Sequence, residues 1–183
     1  MPNDLPDYFV DQLFFPYVDG ALRAPRGSAE ASGAFIGIKS GHGREHMARA
    51  VIEGIAMHYP LTLAQMSEFG TFEPPITLVD GEAVNGLWNQ LKCDITGVSI
   101  RVPEIVETAA VGAAMLAGIA CREYSGAAEA VNRVVRWASR YDPDPEAMHA
   151  YAPIRERYEL VYDGLLAAFR AQCQQAPALE VAR

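Results

Sequence analysis

The stretch Ile76–Ala120, ITLVDGEAVNGLWNQLKCDITGVSIRVPEIVETAAVGAAMLAGIA, sets a strand, a turn, a helix, a second strand and a second helix in immediate succession. Ile76–Val79 is a short β-rich run ended by Asp80-Gly81, and a turn of that composition directly after a strand calls for a positive φ, which glycine adopts at low cost. Leu87, Leu91 and Ile95 then recur at four-residue spacing with Trp88 beside them, so Asn85–Thr96 reads as a helix with one buried face. Gly97 is its expected C-terminal cap. Val98, Ile100 and Val102 alternate as a strand that Pro103 ends. Glu107–Ala120 reads as a helix whose alanines and glycines let it lie close against a sheet. Strand, helix, strand at this spacing is a βαβ unit, for which a parallel pair and a right-handed crossover are the default.

In open α/β sheets, ligands bind beyond the carboxyl ends of the strands, and a glycine turn followed by a helix N-terminus presents unpaired N–H groups to a phosphate. The turn at Gly81 is therefore a candidate phosphate site, although a glycine there also serves turn geometry alone. Asp80 and Glu82 would repel a polyphosphate unless a metal ion lay between them.

Composition bounds the rest. The 183 residues, 50% hydrophobic and 21% charged, suit one soluble globular domain burying about two-thirds of its unfolded surface. A formal charge of −8 argues against a nucleic-acid partner. No apolar run reaches the ~18 residues of a membrane span, and no signal peptide is expected with Asp4 and Asp7 at the start. Cys93, Cys121 and Cys173 are widely spaced without a CxxC and read as reduced, small hydrophobes of a cytoplasmic protein.

Outward from the βαβ unit, residues 1–12 read as an arm and residues 172–183 as a tail. Leu13–Val18 is an aromatic strand whose Pro16 suggests an edge or bulge, APRGSAEASG is a loop, and Ala34–Ile38 is a second strand. SGHGREHMARAVIEGIAMHY starts a long helix with Met47, Val51, Ile55 and His58 near one face and Ala48, Ile52 and Tyr59 beside it, ending or kinking at Pro60. His42-Gly-Arg-Glu45-His46 matches the HxxEH pattern of one zinc peptidase class, but glycines straddle the first histidine and no third ligand is apparent, so no metal site is assigned. Ser125–Ser139 reads as an amphipathic helix with Val131, Val134 and Val135 inward and Trp137 as an anchor. YDPDPEAMHAY reads as a turn-rich loop, and Ile154–Arg170 as a last helix with Tyr158, Val161, Leu165 and Phe169 on one stripe.

The run VDGEAVNGLWNQLKCDITG, followed by VPE and ETAAVGAAMLAGIA, resembles the nucleotide-binding half of the FGGY family of carbohydrate kinases, which includes xylulose, gluconate and glycerol kinases. LFFPYVDG, GAFIGIKSGHGREHMARAVIEGIAMHY and YAPIRERYELVYDGL resemble that half in the same order, so the similarity extends from about Leu13 to Leu166. It implies an α/β domain of the actin-like, ribonuclease H-like ATPase fold, a mixed sheet with flanking helices, the first two strands antiparallel. It implies ATP and Mg2+ as cofactors and a nucleotide as partner. A sugar or polyol would bind only together with the half that carries the catalytic aspartate and most sugar contacts, which this sequence does not contain.

On this resemblance Gly81, Glu82, Ala83 and Asn85 are the nucleotide-binding residues. Gly81 would let the backbone approach the α-phosphate, Asn85 would hydrogen-bond the adenine edge, and the run Thr108–Ala114 would close the other wall of the adenine pocket. Glu82 stands where the family has a glycine, and a carboxylate there costs about 1–3 kcal/mol by like-charge repulsion and desolvation. The family's early loop places a glutamate-arginine pair after its glycine; here GALRAP leaves Arg23 and Pro25 alone. Asp80, Glu82 and Asp94 are the nearest acidic candidates for a base, but Asp94 matches a structural position and no catalytic residue is assigned. The expected function is the ATP-binding part of a carbohydrate kinase that transfers the γ-phosphate to a sugar or polyol hydroxyl and is inactive alone. A non-catalytic regulatory module, or one subunit of a split kinase, stand as alternatives, and homodimerisation is open.

Overall fold

The computed structural model describes residues 11–21 and 27–175. Arg23 and Pro25 of the GALRAP loop, most of the expected N-terminal arm and most of the tail lie outside the described residues. The chain divides into two compact units, one drawn from residues up to Thr71 and from His149 onward, the other from Phe72–Met148.

In the first unit, β1 (Leu13–Phe15) and β2 (Ala34–Ile36) pair antiparallel, with Phe14 opposite Phe35. Both are shorter than their apolar runs: β1 stops just before Pro16, which has no N–H for a ladder. α1 (Arg44–Ala56) crosses β1 and gives way at Met57 to α2 (His58–Phe69). The break precedes Pro60 because Pro60 lacks the N–H that would bond the carbonyl of Ala56, and its ring crowds that carbonyl. The buried face of α1 is His46, Ala50, Glu53, Gly54 and Ala56, not the expected line through Met47, Val51 and Ile55. Its basis is backbone proximity: a Cβ on Gly54 would overlap the carbonyl oxygen of Phe14, so the helix lies against the strand through its smallest residues.

Glu53 is tolerated in that interface by two partners. Arg49 Nε lies 2.5 Å from Glu53 Oε1, and the Tyr151 hydroxyl donates to the same oxygen at 2.8 Å while accepting from Arg49 Nη2 at 2.5 Å. Tyr151 belongs to α6 (Pro145–Gln175), which starts nine residues before the expected Ile154, inside the expected loop. Asp144 caps it, its Oδ1 accepting the N–H groups of Glu146 and Ala147, and Pro145 opens it where no intrahelical N–H is needed. In the first unit α6 buries Tyr151, Ile154, Tyr158, Tyr162 and Phe169, so Tyr162 takes the place expected of Val161. Tyr158 packs on Phe15 with ring centroids 4.5 Å apart, and Tyr162 meets Tyr17 edge-on at 5.1 Å.

The second unit contains the βαβ segment. β3 (Ile76–Thr77) and β4 (Ile100–Pro103) are parallel, Ile76 opposite Ile100, and α3 (Gly86–Thr96) connects them. α4 (Thr108–Ala120) and α5 (Ala127–Val134) pack on each other, and β5 (Trp137–Tyr141) pairs antiparallel with β4, giving a mixed sheet ordered β3-β4-β5. β5 takes up the end of the span expected to be helical, at Trp137–Ser139, and runs beyond it to Tyr141. Trp137 and Tyr141, both strand-favouring residues, pair once an edge is available, and that edge is set by β4, far earlier in the chain. On α5 it is Ala130 that is buried, while Val131 is 45% exposed.

On α3, Leu91 and Ile95 are buried as expected, but Leu87 is 62% exposed; Asn89, Lys92, Cys93 and Asp94 are buried instead. Gly97 caps the helix in the left-handed region at φ 71°. Cys93 Sγ lies 3.2 Å from the carbonyl of Val98 and 3.3 Å from that of Tyr141, tying α3 to the sheet, whereas Cys121 and Cys173 are exposed and do not serve as the small core hydrophobes the sequence suggested. α4 is the departure of largest scale. None of its residues is buried and Leu116 is 69% exposed, so among the described residues nothing encloses it as expected for a sheet-packed helix. Among the described residues no helix is long and apolar enough to cross a membrane.

Candidate functional site

The chain leaves β3 through Leu78 and enters a 3-10 turn, Gly81–Val84, that ends at Asn85, the N-cap of α3. The turn therefore lies past the carboxyl end of β3 and immediately before a helix N-terminus. Asp80 N donates to the carbonyl of Val106 at 2.9 Å, and Ala83 N to the carbonyl of Asp80 at 3.0 Å. The positive φ expected of Gly81 is carried by Asp80, at φ 63°. With ψ at −164° Asp80 lies outside the left-handed helical well, in a region that is otherwise almost confined to glycine, so backbone strain falls on the residue that leaves the strand. Gly81 has open space where a Cβ would stand, which leaves its backbone accessible.

α3 holds this turn from beneath. Asn89, fully buried, donates through Nδ2 to the carbonyl of Ala83 at 2.7 Å. Its Oδ1 is buried with no hydrogen-bond partner among the described residues. Lys92, also fully buried, sets Nζ 2.8 Å from Glu82 Oε2 and 4.0 Å from the Trp88 ring centroid. Asn85 Oδ1 accepts the N–H of Trp88 at 3.1 Å as the cap of α3. Asp94 lies at the other end of the helix, its Oδ1 accepting from Gln90 Nε2 at 2.8 Å and from the N–H of Asp144 at 2.9 Å. Burial holds the Asp94 carboxyl above the usual range, against those two hydrogen bonds.

Gly81, Glu82, Ala83 and Asn85 thus share one short turn, with Asn89 and Lys92 added to it by α3. Asn89 and Lys92 escaped the sequence reading, although Lys92 follows Trp88 at four residues and Glu82 at ten, a spacing at which a long side chain on the first turns of a helix reaches back toward the N-terminus. Thr108 N and Asp80 N both donate to the carbonyl of Val106, at 2.8 and 2.9 Å, so the start of α4 lies beside the turn. With Val111, Thr77, Pro103, Ile105 and Trp137, Thr108 also lines a cavity of about 150 Å³ to which none of residues 81–85 contributes. Ligand pockets run to roughly 300–1,000 Å³, so that cavity alone is too small for a nucleotide. At the other motif, His42 Nδ1 accepts the N–H of Lys39 at 3.2 Å and His46 Nδ1 that of Gly43 at 3.0 Å, with the two rings stacked at 5.1 Å.

A βαβ crossing with an open glycine turn, flanked by helices on a mixed sheet, places the chain among α/β proteins. The C-terminal-domain model of the FGGY family of carbohydrate kinases matches residues 5–121, and the chain belongs to that family. The autoinducer-2 kinase of Escherichia coli K12 is 32% identical over 119 residues, which is 64% of this chain and 22% of the kinase. A ligand-bound xylulose kinase from Lactobacillus acidophilus superposes with a TM-score of 0.80 at 25% identity, over 91% of this chain and 34% of that one. A xyloylose kinase from Brucella ovis does so with 0.77 at 28% identity, over 86% and 32%. The fold is that of the actin-like, ribonuclease H-like ATPases. The chain spans about a fifth of the length of the curated relatives it matches.

Proposed function

We propose that this chain is the nucleotide-binding part of an ATP-dependent carbohydrate kinase of the cytoplasm, taking ATP with Mg2+ at the turn Asp80–Asn85. The observation that supports this most directly is the accessible backbone of Gly81, set between the end of a parallel strand and the N-terminus of α3, where amide dipoles favour phosphate. Glu82 is engaged by Lys92, so Asp80 is the carboxylate of this turn that would be left to hold the metal. Bound ATP would supply the γ-phosphoryl group; this chain contributes backbone donors and orientation.

The acceptor is a hydroxyl of a small polyhydroxylated molecule, the class to which the names of the relatives point. The base that removes its proton, and most contacts that select it, belong to polypeptide corresponding to the rest of the relatives' length. By itself the chain binds nucleotide and transfers nothing.

A second reading, one subunit of a split kinase, is favoured by α4 and β3. α4 is apolar yet has no buried residue, and β3 is an edge strand of a parallel pair, an element that other proteins cover on both faces. In the absence of the complementing polypeptide, the same surfaces favour association of two copies.

Titration calorimetry with ATP and ADP in Mg2+ tests the first reading, and a coupled assay of ADP release with a panel of sugars and polyols tests the chain alone and mixed with the N-terminal part of a kinase relative. Nucleotide binding without turnover, and turnover only in the mixture, is the expected result. No binding at millimolar nucleotide, alone or in the mixture, would leave a regulatory module as the surviving function.

A further inference from the structure

Lys92 is one of only two lysines in the chain, and its side chain is completely buried, whereas that of Lys39 is 64% exposed. A lysine on a helix ordinarily lays its stem along the surface and leaves its ammonium in water. This one runs back along α3 to lie under the turn, between the Trp88 ring and the Glu82 carboxylate. The two members of the ion pair differ in their access to solvent, since Glu82 is 42% exposed. If the pair opens, the carboxylate moves into water and the ammonium stays where it is, under the backbone of Gly81–Val84.

A buried ammonium left without an anion is costly, so whatever displaces Glu82 must bring negative charge. A phosphate group offers the same oxygen acceptors with more charge. We infer that Lys92 is a phosphate-binding subsite of this turn, and that Glu82 occupies it in the ligand-free chain as an internal substitute which an incoming phosphate displaces. The inference rests on the nucleotide reading for the identity of the natural ligand. It reverses the effect assigned to Glu82 from sequence: the carboxylate acts through competition for one ammonium, not through general repulsion of the phosphates. Burial pulls the Lys92 ammonium below the usual lysine range while Glu82, by hydrogen bond and charge, raises it again, as expected of a cation that depends on an anionic partner.

The experiment compares binding of ATP, ADP and inorganic tripolyphosphate to wild type, Glu82→Gln, Lys92→Met and the double variant. Removing the competitor should tighten tripolyphosphate and nucleotide by roughly tenfold or more, the worth of one charge-assisted hydrogen bond, and Lys92→Met should weaken both comparably. The double variant should bind like Lys92→Met, because Glu82 has nothing to compete for once the ammonium is gone. If Glu82→Gln tightens binding as much in the Lys92→Met background as in wild type, the carboxylate acts by repulsion and the inference is overturned. Equal nucleotide binding by wild type and Lys92→Met overturns it too, while leaving the nucleotide reading intact. Lys92-dependent binding of tripolyphosphate without any nucleotide binding upholds the subsite and removes the nucleotide reading.

A measurement on the unmodified chain guards against a variant that fails to fold. Wild type isotopically labelled in its lysine side chains gives two ammonium signals, and tripolyphosphate should move that of Lys92 at concentrations that leave Lys39 unchanged. Equal movement of both signals, or of neither, counts against the subsite.

Discussion

Gly54 of α1 and the carbonyl of Phe14 in β1 are so close that the glycine has no room for a single methyl group. Because the obstacle is backbone and not the end of a flexible side chain, rotamer changes cannot relieve it. Gly54→Ala should therefore lift α1 from the hairpin and destabilise the first unit by about 1–3 kcal/mol, the usual cost of overpacking, despite the better helix propensity of alanine. Denaturant unfolding followed by circular dichroism measures it, and a more stable variant would count against backbone contact as the reason for glycine at this position.

The Tyr151 hydroxyl links Arg49 and Glu53 in the interior of the first unit. Tyr151→Phe keeps the ring and removes the link, and the structure expects a loss of about 1–3 kcal/mol because the Glu53 carboxylate is left short of a donor. Glu53→Gln in the Tyr151→Phe background should lose less than the sum of the two single changes, since the groups act as a unit.

The three thiols should separate by reactivity. Desolvation, assisted by the nearby Asp94 charge, pushes Cys93 up to about 12, while Cys121 and Cys173 are exposed. A thiol reagent at pH 8 should label two cysteines per native chain and the third only after unfolding. The same shift sets a pH dependence. Between the ordinary thiol pKa near 9 and about 12 the unfolded chain has lost this proton and the native chain retains it, so Cys93 makes stability fall as pH rises through that window. Cys93→Ala should flatten the fall.

Asn85→Ala removes the cap that accepts the N–H of Trp88. Loss of such a cap costs about 1 kcal/mol. On the proposed function the same change should weaken nucleotide binding, because the turn and the first amides of α3 lose their anchor. Unchanged affinity at reduced stability would confine Asn85 to capping.

The parts of this architecture that depend on near neighbours were legible in the sequence. The parallel β3–β4 pair, the cap at Gly97 and the antiparallel hairpin at the start all follow from spacing, turn residues or family likeness, whereas Asn85, read as the first residue of its helix, is the N-cap. What could not be read is set by partners distant in the chain. Trp137–Ser139 contributes to a strand only because β4 presents an edge, and Glu53 sits in an apolar face only because Arg49 and Tyr151 surround it. At the candidate site the turn itself was readable, but its supports were not. Lys92 looks like a solvent-facing helix residue until Glu82 is placed over it, and the positive φ falls on Asp80, whose N–H donates to the carbonyl of Val106.

The unburied apolar surface of α4 separates two properties that usually rise and fall together. In most helices a polar substitution at a large apolar position harms both the amount of intact protein and what the protein does. At Leu116, which loses no interior contacts, a glutamate should improve the yield and shelf life of the isolated chain. Any activity that depends on a second polypeptide meeting this helix should decline in the same variant, so selecting for the best-behaved sample in the tube would select against that activity.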